Sequence, residues 1–326
     1  MTSTRLPALV LKRNEDRRLA AGHLWVYSNE VDIRKTPLSG FAPGSLAVIQ
    51  SAAGKTLGAG YVNPHSLICA RLLTRRPRTA LDAGFFERRL RAALSLRESL
   101  FAQPCYRLVF GESDGLPGLV IDRYDTVLVV QITTAGMEAV RDLLLEALEK
   151  VFAPTGILLR NDSSMRALEG LPQETEVIGT VPGTVRLTEG GVQFEAPLGA
   201  GQKTGWFYDQ RSNRLAMHKY VQGRQVLDTF SYIGAWGLQA AAAGAAGVTC
   251  VDASPLAQAC MEKNIAANGL AGKVRLENGD AFTVLKTLQD AGRRFDVVIV
   301  DPPAFIKRRK DIRSGEQGYG RLNRLA

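Results

Sequence analysis

Four aspartates, Asp228, Asp252, Asp280 and Asp301, close successive apolar runs in the last third of this 326-residue chain. The runs are QVLDTF, VTCVDAS, VRLENGD and FDVVIVDPPAF, and the first passes through SYIGAWG into the alanine-rich, helical stretch LQAAAAGAAG. Apolar runs that alternate with helical ones read as strands of a parallel α/β sheet. In an open doubly wound sheet, the carboxyl ends of the strands line the crevice where ligands bind. Carboxylates there suit a ligand rich in hydroxyls and positive charge. An ordinary α/β domain also ends strands on acids; four in succession favour a cofactor crevice.

Asp252 follows Gly234 by eighteen residues, close to the spacing of a carboxylate that accepts from ribose hydroxyls. Gly234 and Gly237 strip side chains from the turn where the first strand enters its helix, so backbone amides can approach a ligand. Only this G-x-x-G spacing is present, without the three glycines that cradle a pyrophosphate. That disfavours a nicotinamide dinucleotide. S-adenosylmethionine has no phosphate to cradle, and its amino and sulfonium groups suit Asp228. Phe230, Tyr232, Ala253 and Ala281 flank the same strand ends. With Asp228, Gly234, Asp252, Asp280 and Asp301 they make the candidate cofactor-binding set.

Asp301-Pro302-Pro303-Ala304-Phe305 is the most specific local pattern. Two prolines fix φ twice and remove two backbone donors. The loop then presents carbonyls and the Asp301 carboxylate as acceptors for the amino edge of a nucleobase, on which Phe305 would stack. Asp301 and Pro302 are therefore the candidate catalytic, base-positioning residues.

The motifs LKRNEDRRLAAGHLWVYSNEV, GESDGLPGLVIDRY, GQKTGWFYDQRSNR, LDTFSYIGAWG and VDPPAF occur in this order along nearly the whole chain. In them the chain resembles the RlmI-type bacterial large-subunit ribosomal RNA cytosine-C5 methyltransferases. The resemblance implies S-adenosylmethionine as methyl donor, large-subunit (23S) ribosomal RNA as substrate, and a three-part α/β architecture. A small PUA-like β-barrel would occupy residues 1–75, a central α+β domain 76–192, and a Rossmann-like class I methyltransferase domain 193–326. The stretch 201–214 borders the cofactor pocket in that family, which makes Lys203, Phe207, Asp209 and Arg211 candidates, Lys203 and Arg211 for RNA.

Composition agrees with a globular RNA-binding protein: 45% hydrophobic and 22% charged residues, with a net charge of +9. Eight arginines stand between positions 71 and 97 against only Asp82 and Glu87. Arg71, Arg75, Arg76 and Arg78 are taken as phosphate contacts, since arginine donates to phosphate in bidentate fashion. A solvated helix face is the alternative. No apolar run is long enough to span a bilayer and the N-terminus lacks a signal-peptide core, so a cytoplasmic protein without membrane partners is expected. Cys69, Cys105, Cys250 and Cys260 have neither metal-ligand nor disulfide spacing.

Carbon 5 of cytosine is a poor nucleophile, and its methylation needs a cysteine thiolate to add at carbon 6. The family resembled here carries that cysteine in a Ser-Cys-Ser segment after a later strand. The resemblance thus implies that the nucleophile and the last strands of the sheet lie beyond Ala326. These 326 residues alone would transfer no methyl group to cytosine, and VVIVD would be left as an apolar edge prone to form homo-oligomers. Two other activities remain open: methylation of an exocyclic amine, which needs no cysteine, and RNA binding without catalysis.

Overall fold

The computed structural model describes residues 6–77, 79–199 and 204–326. Arg78 and Lys203 lie outside the described residues. The chain forms two compact units, Met1–Val181 and Pro182–Ala326.

The first unit contains two sheets. Strands β1 (Ala8–Val10), β2 (Trp25–Val26), β3 (Ser45–Gln50), β4 (Thr56–Val62) and β5 (Ala70–Thr74) form one sheet in the order β1-β3-β4-β5-β2. Its core is small and aliphatic, with Leu9, Leu11, Ile49, Val62 and Leu72 buried. Gly60 lets β4 and β5 approach: a Cβ there would lie 2.0 Å from the Arg71 carbonyl oxygen. Strands β6 (Cys105–Phe110), β7 (Leu119–Tyr124), β8 (Val127–Ile132), β9 (Gly156–Asn161) and β10 (Glu174–Gly179) form the other, in the order β10-β9-β8-β7-β6. Only β8 and β9 are parallel, and the helix Arg141–Phe152 lies between them in sequence. That helix and Ala83–Leu100 bury Phe86, Leu90, Leu144 and Leu148 in a common core. Asp82 caps Ala83–Leu100, accepting from Phe85 N at 2.9 Å.

The two sheets are not independent bodies. The Tyr61 ring from β4 sits where a Cβ on Gly136 would be, and its hydroxyl donates to Pro117 O at 2.9 Å. Gly136 is needed at that seam because no side chain fits beneath the ring. The boundary expected near residue 75 is therefore bridged by a packed core.

The second unit opens with a hairpin, β11 (Thr184–Glu189) and β12 (Val192–Pro197). The boundary expected at 192 falls inside it. Asn264 and Asn268 staple the hairpin to the following domain: Asn264 Oδ1 accepts from Glu195 N at 2.7 Å, and Asn268 Oδ1 from Gln193 N at 2.9 Å. Four parallel strands follow, β13 (Gln225–Thr229), β14 (Gly247–Asp252), β15 (Val274–Asn278) and β16 (Val297–Val300), in the order β15-β14-β13-β16. Central β13 and β14 are covered on both faces, so their interiors are almost wholly buried, as parallel strands require. Edge strand β16 is half-buried. The helix Ile312–Leu325 adds Leu322 to a cluster with Leu227, Val251 and Leu285, which shields one side of the sheet near that edge.

Helix starts and stops follow local chemistry. Ser254 caps Pro255–Ala267, with proline at the first helical position where no amide donor is missed. Gly269, at φ +64°, ends it in the left-handed conformation.

Candidate functional site

The turn from β13 into the helix Ala235–Ala242 holds three residues in the left-handed region: Phe230 at φ +60°, Tyr232 at φ +50° and Gly234 at φ +87°. Two of them are aromatic, and such backbone persists only where surrounding contacts fix it. Here Ser231 does so: its hydroxyl donates to Asp228 O at 2.7 Å and accepts from Val251 N at 2.9 Å. Tyr232 N donates to Asp252 Oδ2 at 2.8 Å. The turn is thereby tied to the ends of both central strands.

A cavity of about 490 Å³ opens above this turn, within the usual range for small-molecule sites. Of the expected cofactor residues, Phe230, Tyr232, Asp252, Ala253, Asp280, Ala281 and Asp301 line it, and the structure brings all seven together. Asp252 is half-buried and accepts from Ser254 N at 2.9 Å as well as from Tyr232. A carboxylate has about four acceptor sites, so two stay available to hydroxyls. Asp280 caps the helix Ala281–Asp290, accepting from Thr283 N at 3.1 Å. Asp301 is exposed and accepts from Trp236 Nε1 at 3.2 Å. Pro302, Pro303 and Ala304 continue the wall beside it.

Asp228 does not line the cavity. It is wholly buried, with Oδ2 accepting from Gly237 N at 2.9 Å and Oδ1 without a partner. Burial pushes its carboxyl up to about 7, against the Gly237 hydrogen bond and the nearby Ser231 hydroxyl and with help from Asp301 and Asp252. Its position is one residue inside β13, paired with Cys250, so it organises the turn from below.

Gly234 is likewise absent from the wall. A Cβ there would lie 2.4 Å from Leu238 Cδ1, and one on Gly237 would lie 2.3 Å from Cys250 Sγ. These glycines serve the conformation of the turn and close helix–strand packing, not the approach of a ligand.

Several expected RNA contacts are placed elsewhere. The Phe305 ring packs on Tyr319 at 4.6 Å and Phe282 at 6.0 Å, so it is a partly buried prop for the C-terminal helix. Arg71 is buried and paired with Glu169 at 3.1 Å. Arg211 is half-buried beside the carboxylate of Glu189, at 4.0 Å. Arg75 is exposed but donates to Leu19 O at 2.7 Å. Arg76 is exposed.

Further lining residues carry no signal in their own stretch of sequence. Arg214 reaches the cavity from the helix Arg211–Val221 and donates to Phe207 O at 2.9 Å. Buried Glu189 holds it, and also accepts from Trp206 Nε1 at 3.1 Å and Gln239 Nε2 at 2.9 Å. Nothing local in the sequence connects Glu189 to Arg214. Trp236 is the exception, a large aromatic one residue inside a helix that starts on a glycine turn.

All four cysteines are buried, and none of them is in a disulfide. Burial pushes Cys69 up to about 12, Cys250 well above its ordinary value, and Cys260 upward. None lines the cavity. Among the described residues no cluster of metal-ligating side chains occurs, and no helix is long and apolar enough to cross a membrane.

The cavity fits S-adenosylmethionine on its own chemistry. Carboxylates at three strand ends supply hydroxyl acceptors, aromatic and alanine side chains give an apolar wall, and the unpartnered Asp228 Oδ1 lies under the turn as a buried polar group.

Comparison with known proteins agrees. A PUA-like domain model matches residues 9–75, and an S-adenosylmethionine-dependent methyltransferase model matches 157–325. Ribosomal RNA large subunit methyltransferase I of Klebsiella pneumoniae is 36% identical across 100% of this chain and 82% of its own length. The protein of that name from Shewanella denitrificans is 37% identical across 97% of this chain and 81% of its own. A solved Streptococcus mutans structure described as a SAM-dependent methyltransferase covers 96% of this chain and 82% of its own, with a TM-score of 0.77 at 22% identity. A methyltransferase solved with S-adenosylhomocysteine reaches a TM-score of 0.80 at 22% identity, over 94% and 78% of the two chains. At that identity the two structures speak for the fold. Strand order, cavity chemistry and these matches converge: the chain belongs to the S-adenosylmethionine-dependent methyltransferases, in the family of the ribosomal RNA large subunit methyltransferase I proteins.

Proposed function

We propose that this protein methylates large-subunit ribosomal RNA in the cytoplasm, at carbon 5 of a cytosine. The observation that carries the reading is one cavity walled by Asp252 on one side and Asp301-Pro302-Pro303 on the other. The cofactor, when bound, supplies an electrophilic methyl group. Asp252 and Asp280 hold its hydroxyl-bearing part, Phe230, Ala253 and Ala281 cover its flat part, and Asp301 and Pro302 position the target base. Arg75 and Arg76 of the PUA-like sheet contribute to RNA binding; Arg78 is carried as a further RNA contact from the arginine cluster, and Lys203 from the resemblance.

The thiolate that carbon-5 chemistry requires is not any of the four cysteines present. Each is buried, and for Cys69, Cys250 and Cys260 burial favours the unreactive thiol. On this reading none of these four thiols adds to a base held in the cavity, and the 326 residues by themselves transfer no methyl group to cytosine.

A second reading, methylation of an exocyclic amine, draws on the same lack of a thiol in the cavity together with the exposed Asp301 acceptor. The test is labelled methyl transfer from S-adenosylmethionine to unmodified large-subunit ribosomal RNA, followed by mass spectrometry of the nucleosides. The carbon-5 reading expects no product from this chain alone, and 5-methylcytosine once a segment carrying the nucleophile is supplied. An N-methylated base from the chain alone would establish the second reading. 5-Methylcytosine made by the chain alone would overturn the assignment of the nucleophile.

A further inference from the structure

The first unit holds a basic cleft of about 590 Å³ that shares no residue with the cofactor cavity. It lies between the end of β5 and the first half of the helix Ala83–Leu100, where Arg75, Arg76, Arg88 and Arg89 converge. No Asp or Glu is among the residues that line it. Other arginines of the same sequence cluster are neutralised: Arg71 by Glu169 at 3.1 Å, Arg91 by Glu87 at 3.0 Å and Arg97 by Asp114 at 2.8 Å. Charge in this region is therefore not spread over a solvated face. It is cancelled around the cleft and left open within it.

The four guanidinium groups are arranged for different work. Arg75 donates to Leu19 O and His23 O, and Arg89 donates to Leu73 O at 3.2 Å while lying 5.4 Å over the buried Phe85 ring. Gly115 makes room for it, since a Cβ there would lie 2.9 Å from Arg89 Nη1. Arg76 and Arg88 are exposed and have no carboxylate partner among the described residues. Two charges are thus held rigid by backbone carbonyls, and two are left to move onto a ligand. A guanidinium backed by an aromatic ring is a stacking plane for an unpaired base, and exposed arginines grip phosphate as a fork. A duplex hides its base faces and would use only the charges.

We propose that this cleft takes one nucleotide of a single-stranded RNA segment, with Arg76 and Arg88 on the phosphodiester and Arg89 under the base. The inference rests on the reading of RNA as substrate and adds a second, non-catalytic anchoring site to it.

The test measures fluorescence anisotropy of a short labelled single-stranded RNA, and of the same sequence as a duplex, on the full chain across a salt series. The double variant Arg76→Ala/Arg88→Ala should bind the single strand at least tenfold more weakly. It should also flatten the slope of log K against log salt by roughly 0.7, for the one phosphate no longer neutralised. Arg91→Ala removes an exposed charge that Glu87 already neutralises, and should bind within twofold of the parent. Arg89→Lys keeps the charge without the plane, and should weaken single-strand binding several-fold while leaving the duplex unchanged. The proposal is overturned if the double variant matches Arg91→Ala, or if Arg89→Lys affects both RNAs alike. Failure of the parent chain to bind RNA, with S-adenosylhomocysteine binding intact by calorimetry, would overturn the RNA reading itself. Parent binding that ignores Arg76 and Arg88 would remove the cleft alone.

Discussion

Asp228→Asn separates the stability of the second unit from its chemistry. Burial raises the Asp228 carboxyl from its ordinary 3.8 to about 7. An unfolded chain ionises this group near 3.8 and the folded chain near 7, so the folded state holds the extra proton between those values. Stability therefore falls as pH rises through that window, at about 1.4 kcal/mol per pH unit. Between pH 5 and pH 8 about two pH units of the window remain, which makes the loss roughly 3 kcal/mol. Asparagine is close in shape and neutral throughout, and its carbonyl can still accept from Gly237 N. The variant should thus gain on the parent by roughly 3 kcal/mol over that range, or on the order of 10 °C in melting temperature for a unit of this size. The assay is thermal unfolding of both proteins at intervals from pH 5 to pH 8, read as the difference between them. A difference that stays constant with pH would refute the claim that the buried carboxyl is protonated below neutrality.

Three further outcomes follow from the same geometry. Asp252→Ala should weaken S-adenosylhomocysteine binding by about 10- to 100-fold, the scale of one or two charge-assisted hydrogen bonds, and isothermal calorimetry would read it. Gly237→Ala drives a methyl group into Cys250 Sγ and should cost about 1–3 kcal/mol in urea unfolding; Cys250→Ala should relieve much of that cost, seen as coupling in a double-mutant cycle. Glu189→Ala leaves Arg214 buried without its counter-charge, and should destabilise the second unit by about 3–5 kcal/mol while loosening Phe207, which lines the cavity and whose carbonyl Arg214 holds, visible as faster amide exchange there.

What was legible in the sequence is what short-range physics controls. Parallel strands buried on both faces must be continuous apolar runs, so β13 and β14 stand out, the half-buried edge strand β16 reads the same way, and polar residues gather where each run ends. Asp252, Asp280 and Asp301 follow from that rule, and the structure sets all three around one cavity. Caps such as Asp82 and Ser254 are equally local, because the acceptor and the amide it satisfies lie within three residues.

Side-chain fate depended on partners distant in the chain, and only the tertiary structure decided it. Asp228 looks like Asp252 in sequence, yet its place one residue inside β13 aims it at the Gly237 amide instead of the cavity. Phe305 follows two prolines as a base-stacking residue would, but Tyr319 claims its ring. Among the arginines the contrast is sharper still. Arg71 and Arg76 are five positions apart and identical in type, and Glu169, almost a hundred residues away, neutralises the first while no carboxylate lines the cleft that holds the second. Local pattern determines which residues carry charge. Whether that charge is spent on the fold or left for a ligand is set by which distant segment packs against it.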